Sequence, residues 1–101
     1  MAIKVYKEFE NCRDFSFKSQ ITGSALSVPS NIAEGFERYT DKEKHRFLSI
    51  AKGSVGELKT QIMIAIEIEY LLTETGQIMA SEAEEISKML GGLMNTLQAK
   101  R

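Results

Sequence analysis

Ser27-Val28-Pro29-Ser30-Asn31-Ile32-Ala33-Glu34-Gly35 places the only proline of the chain inside a run with helical apolar spacing. Proline removes a backbone donor and presses its ring against the carbonyl four residues earlier, so the helix is predicted to kink or restart at Pro29. Val28 is expected to be drawn toward extended geometry. Asn31 is expected to cap the resumed helix by accepting from an exposed N–H. Working outward, Ile21, Ala25 and Val28 recur at three-to-four spacing before the proline, and Ile32 and Phe36 continue the stripe after it. This second helix is predicted from about Phe17 to Arg38, with Ser16 as its cap.

No segment alternates apolar and polar residues as a strand does, and turn punctuation is sparse. The chain therefore reads as one all-α domain over residues 1–101, an up-and-down four-helix bundle with a Pro-kinked second helix and a long third helix. The first helix is predicted over Ala2–Cys12, with Ile3, Tyr6, Phe9 and Val5 facing inward. Thr40-Asp41-Lys42-Glu43 forms a capping box and opens a third helix reaching Thr73, roughly 50 Å long. Gly76 is assigned to the following turn. Ser81-Glu82-Ala83-Glu84 repeats the box and opens a fourth helix that buries Ile86, Met89, Leu90, Leu93, Met94 and Leu97.

Composition narrows the function classes. Hydrophobic content of 43% and charged content of 27% are those of an ordinary globular domain. The first eight residues lack the basic start and uninterrupted apolar segment of a signal peptide. The run Ile62-Met63-Ile64-Ala65-Ile66 is too short to span a bilayer. A lone Cys12 forms no internal disulfide. Cytoplasmic residence with no membrane role is the expectation. Residues 1–60 carry ten Lys and Arg against eight Asp and Glu, and residues 61–101 three against six. The gradient is shallow and decides nothing by itself.

No catalytic constellation emerges. His45 lies in the charged stretch Lys42-Glu43-Lys44-His45-Arg46 and reads as a solvated helix residue; Cys12 reads as filler between helices. Gly53 and Gly56 sit within helical sequence rather than after a strand, so they form no phosphate loop. Glu34 and Glu57 resemble half of a carboxylate-bridged metal site, but the Glu-x-x-His pairs such bundles need are missing from the sequence. No enzyme activity, metal or cofactor is expected.

Three other groups remain. Gly53 and Gly56 each cost a helix about 1 kcal/mol, which close approach of the second helix near Pro29–Gly35 would explain. With the two segments facing, Asn31, Glu34, Ser54 and Glu57 are expected to make a polar network that fixes register, or alternatively a recognition site for a ligand or subunit. Glu34 precedes Arg38 by four residues, a favourable helix pair, and Arg46 and Lys59 are expected near Glu57 or Glu34. Arg38, Tyr39, Lys42, Lys44, Arg46 and Lys52 are the candidate nucleic-acid contacts, with Lys42 and Arg46 sharing a face and Tyr39 able to stack on a base; Glu37, Asp41 and Glu43 are interleaved among them, and an ordinary solvated helix face is the alternative reading. Lastly, Ile62, Met63, Ile64, Ile66, Ile68, Tyr70 and Leu71 surround most of the third helix. A lone surface helix buries one stripe, so these residues are the expected homo-oligomer interface. Burying two more isoleucines there would contribute about 3–6 kcal/mol.

Ser27–Gly35, Arg38, the run Phe47-Leu48-Ser49-Ile50-Ala51-Lys52-Gly53-Ser54 and Glu57-Leu58-Lys59-Thr60-Gln61 together resemble the 23S rRNA intervening-sequence proteins. The resemblance covers about Val5 to Leu97. It implies four-helix bundles that assemble into rings, commonly pentamers, some encoded within intervening sequences of bacterial large-subunit rRNA genes. It also implies kinship with accessory proteins of diversity-generating retroelements, which bind nucleic acid and a reverse transcriptase through a basic ring. Structured RNA, or a nucleic-acid enzyme, is the implied partner. A protein-interaction scaffold using the apolar third helix is the alternative. The chain departs from the family pattern in lacking tryptophan, in starting late in the first helix, and in following Gln20 with Ile21-Thr22-Gly23 rather than an arginine pair.

Overall fold

The computed structural model describes residues 1–99. They form four α-helices: α1 (Ala2–Glu8), α2 (Phe15–Phe36), α3 (Asp41–Glu67) and α4 (Thr73–Ala99). Successive helices run antiparallel. Ser27 meets Ser54 and Gly35 meets Phe47 between α2 and α3, and Lys59 meets Glu84 between α3 and α4. α3 is central, packed by α2 on one flank and α4 on the other, while α1 lies on α2 and reaches α4 through a 2.9 Å Lys4–Glu82 ion pair.

Two apolar clusters stack along the bundle. The first joins Val5 and Phe9 to Ile21 and Ala25, to Leu58, Ile62 and Ala65, and to Leu71 and Met79. The second joins Val28, Leu48, Ala51, Val55, Ala83 and Leu90. α1 is a single short piece of seven residues. It ends at Glu8 and not at Cys12, and the capping Phe9 turns its side chain into the first cluster. Ile3 and Tyr6, expected inside, are exposed; Val5 and Phe9 are the buried pair.

Helix ends explain most differences from the predicted boundaries. Asp14, not Ser16, caps α2, its Oδ1 accepting from the Phe17 N–H at 3.1 Å. Pro29 lies inside an unbroken α2, so there is no restart: Val28 is helical and buried, and Asn31 is no cap. Its Nδ2 instead donates back to the Ser27 carbonyl at 2.8 Å. Thr40 caps α3 as expected, accepting from the Glu43 N–H at 3.1 Å.

α3 stops at Glu67, about 40 Å long, short of Thr73. Its end is a Schellman turn: the Tyr70 N–H reaches the Ala65 carbonyl at 2.8 Å and the Glu69 N–H reaches Ile66 at 3.1 Å. Glu69 takes the left-handed position, φ 64°, that glycine usually fills. Gly76 is therefore not in the turn. It is buried in the first turn of α4, where a Cβ would collide with Cγ1 and Cδ1 of Ile66. Ser81 falls mid-helix, and Met89 and Leu93, expected inside, are exposed.

The glycine prediction is also corrected. Nothing lies within 4 Å of a Cβ built on Gly53 or Gly56, so neither marks a close approach. Gly35 does: a Cβ there would sit 3.1 Å from Phe47 Cβ and 3.5 Å from the Lys44 carbonyl. Opposite results are expected on substitution. Gly53→Ala should stabilise by about 0.5–1 kcal/mol, since helix propensity changes and nothing is hit. Gly35→Ala should destabilise by about 1 kcal/mol, because Phe47 Cβ is tied to the α3 backbone and the helices must part. Urea midpoints of the two variants test the signs.

Candidate nucleic-acid face and self-association surface

The α2–α3 corner is built on Gly35. Its missing side chain lets Phe47 stand against the end of α2, and two guanidiniums gather on the Phe47 ring. Arg38 sits 4.8 Å from the centroid and Arg46 5.3 Å, within cation–π range. Each keeps one carboxylate: Arg38 donates to Glu34, and Arg46 lies 3.6 Å from Glu43. Arg38 Nε is buried without a hydrogen-bond partner. Tyr39, next along the chain, is wholly exposed, and Lys42 is exposed one turn before Arg46.

Of the six predicted contacts, Arg38, Lys42 and Arg46 therefore gather at this corner beside Tyr39. Lys44 lines a separate cleft with Phe36, Leu48 and Leu93. Lys52 belongs to a shallow groove between α3 and α4, shared with His45, Ser49 and Asn95. Phe47 was not singled out from the sequence as a site residue; an aromatic directly after Arg46 was the available signal.

The polar residues between α2 and α3 divide into pairs. Ser24 donates to Glu57 Oε1 at 2.6 Å, Ser27 and Ser54 lie 2.8 Å apart, and Asn31 Nδ2 donates to Ser27 Oγ at 3.0 Å. Ser24 and Ser27 thus bring Asn31, Ser54 and Glu57 into one band. Glu34 stands outside it with Arg38, Arg46 reaches neither Glu34 nor Glu57, and Lys59 binds Glu84 of α4 at 2.6 Å. Among the described residues no group of three or more His, Cys, Asp or Glu can hold a metal, and no helix is long and apolar enough to cross a membrane.

The predicted interface residues separate by burial. Ile62 and Leu71 belong to the monomer core, with Ile66 packed against it, and cannot face another subunit. Met63 and Ile64 on the last turns of α3, and Ile68 at its C-cap, are exposed. Tyr70 is partly exposed, but its ring packs edge-on against Phe17 and its hydroxyl donates to Asp14 Oδ2 at 2.7 Å.

That bond and the Phe17 N–H govern Asp14. The backbone donor first, and the Tyr70 hydroxyl second, hold its carboxyl below the ordinary carboxylate range, and the same bond raises the Tyr70 phenol. The contribution of Asp14 is therefore present above an unfolded pKa of about 3.9 and is lost as pH falls through the lower folded value. Asp14→Asn keeps a competent cap without the charge. Its urea midpoint should fall less between pH 7 and pH 3 than that of the native chain.

These features define a small four-helix bundle with a cationic, aromatic corner and an apolar ridge. The chain belongs to the 23S rRNA-intervening sequence protein family, whose pattern it matches over residues 1–92. A crystal structure of a protein of unknown function from the S23 ribosomal protein family of Bacteroides thetaiotaomicron shares the fold. It superposes with a TM-score of 0.85 at 24% identity, covering 92% of this chain and 87% of that one. No curated protein matched the chain.

Proposed function

We propose that this protein is a non-catalytic, self-associating RNA-binding module that works in the cytoplasm as a ring, commonly a pentamer, engaging structured RNA or a ribonucleoprotein. The observation that carries the reading is the pair of guanidiniums on Phe47, with Lys42 alongside and Tyr39 exposed next to them. Guanidiniums held in place by a ring lose little freedom on meeting a phosphate, and a free tyrosine offers a base a stacking surface. The family's description, a 23S rRNA-intervening sequence protein, makes RNA the anion to test first.

One corner, with three cations, neutralises about three phosphates at most, which is weak and salt-sensitive binding. Repetition around a ring multiplies it by effective concentration. A salt titration of affinity for a fluorescent RNA stem-loop tests the reading. Binding should weaken steeply with salt, with a log–log slope of about −3 or steeper. No detectable binding at low salt would contradict it. The scaffold alternative is favoured instead if the intact assembly co-purifies with a defined protein and ignores RNA.

A further inference from the structure

A ring needs two different surfaces on every subunit, because head-to-tail contacts join a patch to a dissimilar one. The ridge Met63, Ile64 and Ile68 supplies one. The structure offers the other in the trough between α2 and α4. α1 fills half of that trough: Val5 and Phe9 complete the first core cluster, whereas the second receives only Met1 from this end of the chain. Beyond Met1 the walls remain apolar and open, with Phe36 62%, Met89 63% and Leu93 42% exposed. Phe36, Leu48, Leu93 and Leu97 line a cleft of about 200 Å³ there, together with Lys44.

We infer that the occupant of this cleft is the α3 ridge of a second copy of the chain, with Glu67 of the ridge meeting Lys44 of the cleft; the inference rests on the self-association proposed above. Three observations support the pairing. Ridge and cleft are both apolar, and they lie at opposite ends of α3, so one subunit cannot join its own pair. Their charges are complementary. Glu67 follows Met63 by four residues and Ile64 by three, on the same side of the helix. Lys44 lines the cleft and has no ion pair among the described residues. Finally, the trough demonstrably accepts an apolar helical stripe, since α1 occupies its other half through Val5 and Phe9.

Mixing two defective variants tests this. Met63→Glu with Ile64→Glu spoils the ridge, and Leu93→Glu spoils the cleft; both alter exposed positions, and circular dichroism checks that each folds. Each variant alone should sediment as a monomer. Mixed, they should form a one-to-one dimer and nothing larger, because only one intact ridge and one intact cleft remain. Glu67→Lys should weaken assembly at least tenfold, and adding Lys44→Glu should restore it. If the Leu93→Glu variant assembles like the native chain, or the mixture stays monomeric, the pairing is wrong while self-association stands. A native chain that is itself monomeric overturns the underlying reading.

Discussion

Phe9→Ala is expected to remove about 3–5 kcal/mol of stability, the usual cost of deleting a fully buried phenylalanine. Domains of this kind have only about 5–15 kcal/mol in total, so the variant should sit near the edge of folding at room temperature. The effect is large because of what Phe9 holds. α1 has seven residues, too few to be helical on its own, and its buried attachments are Val5 and Phe9. Phe9 also meets Phe17 of α2 at 5.9 Å between centroids. Removing the ring opens a cavity beside Ile21 and releases the α1–α2 turn at once. Chemical denaturation measures the loss. A cost below about 1 kcal/mol would mean that α1 contributes little to the core.

The second large effect is on RNA binding. Lys42→Glu with Arg46→Glu reverses two of the three cations at the α2–α3 corner. Affinity for a structured RNA at low salt should fall at least a hundredfold, and the salt slope should flatten by about 2, since two phosphate contacts vanish. Both side chains are exposed, Arg46 being tied among the described residues to Glu43 and the face of Phe47, so the fold should survive; an unchanged thermal midpoint confirms that. Reversing Lys52 is the internal comparison. It lies in the α3–α4 groove away from Phe47 and should cost far less. Equal losses from the two changes would indicate diffuse attraction rather than a site at the corner.

Much of the fold was legible in the chain because the decisive signals were local. Helical apolar spacing carried all four elements, and the Thr40 cap survives with its expected geometry. Errors arose where residue type and position part company. A proline mid-pattern suggested a kink or a restart; α2 continues unbroken through Pro29, so the restart does not occur. A glutamate, rather than a glycine, takes the left-handed residue that ends α3, so the sequence pointed past the turn to Gly76. Ser16 and Ser81 look like caps, but capping depends on where the preceding loop delivers the chain, and Asp14 wins by also accepting from Tyr70.

The candidate sites were legible only as sets. The sequence placed seven apolar residues around α3, but which of them face the neighbouring helices depends on two packing partners at once. Ile62 and Leu71 went inside, and Met63 and Ile64 remained out. Likewise, six residues near the basic half were candidates, but the location of Phe47 decided which cations converge. That location follows from Gly35, a residue whose role is visible only with α3 beside it.

Self-association is the premise on which both the RNA reading and the ridge-to-cleft pairing depend, and light scattering of the native protein in dilute buffer measures it directly. The expected mass is several times the 11.3 kDa of one chain, five times for the pentamer, independent of added RNA. A mass of a single chain at micromolar concentration would contradict it.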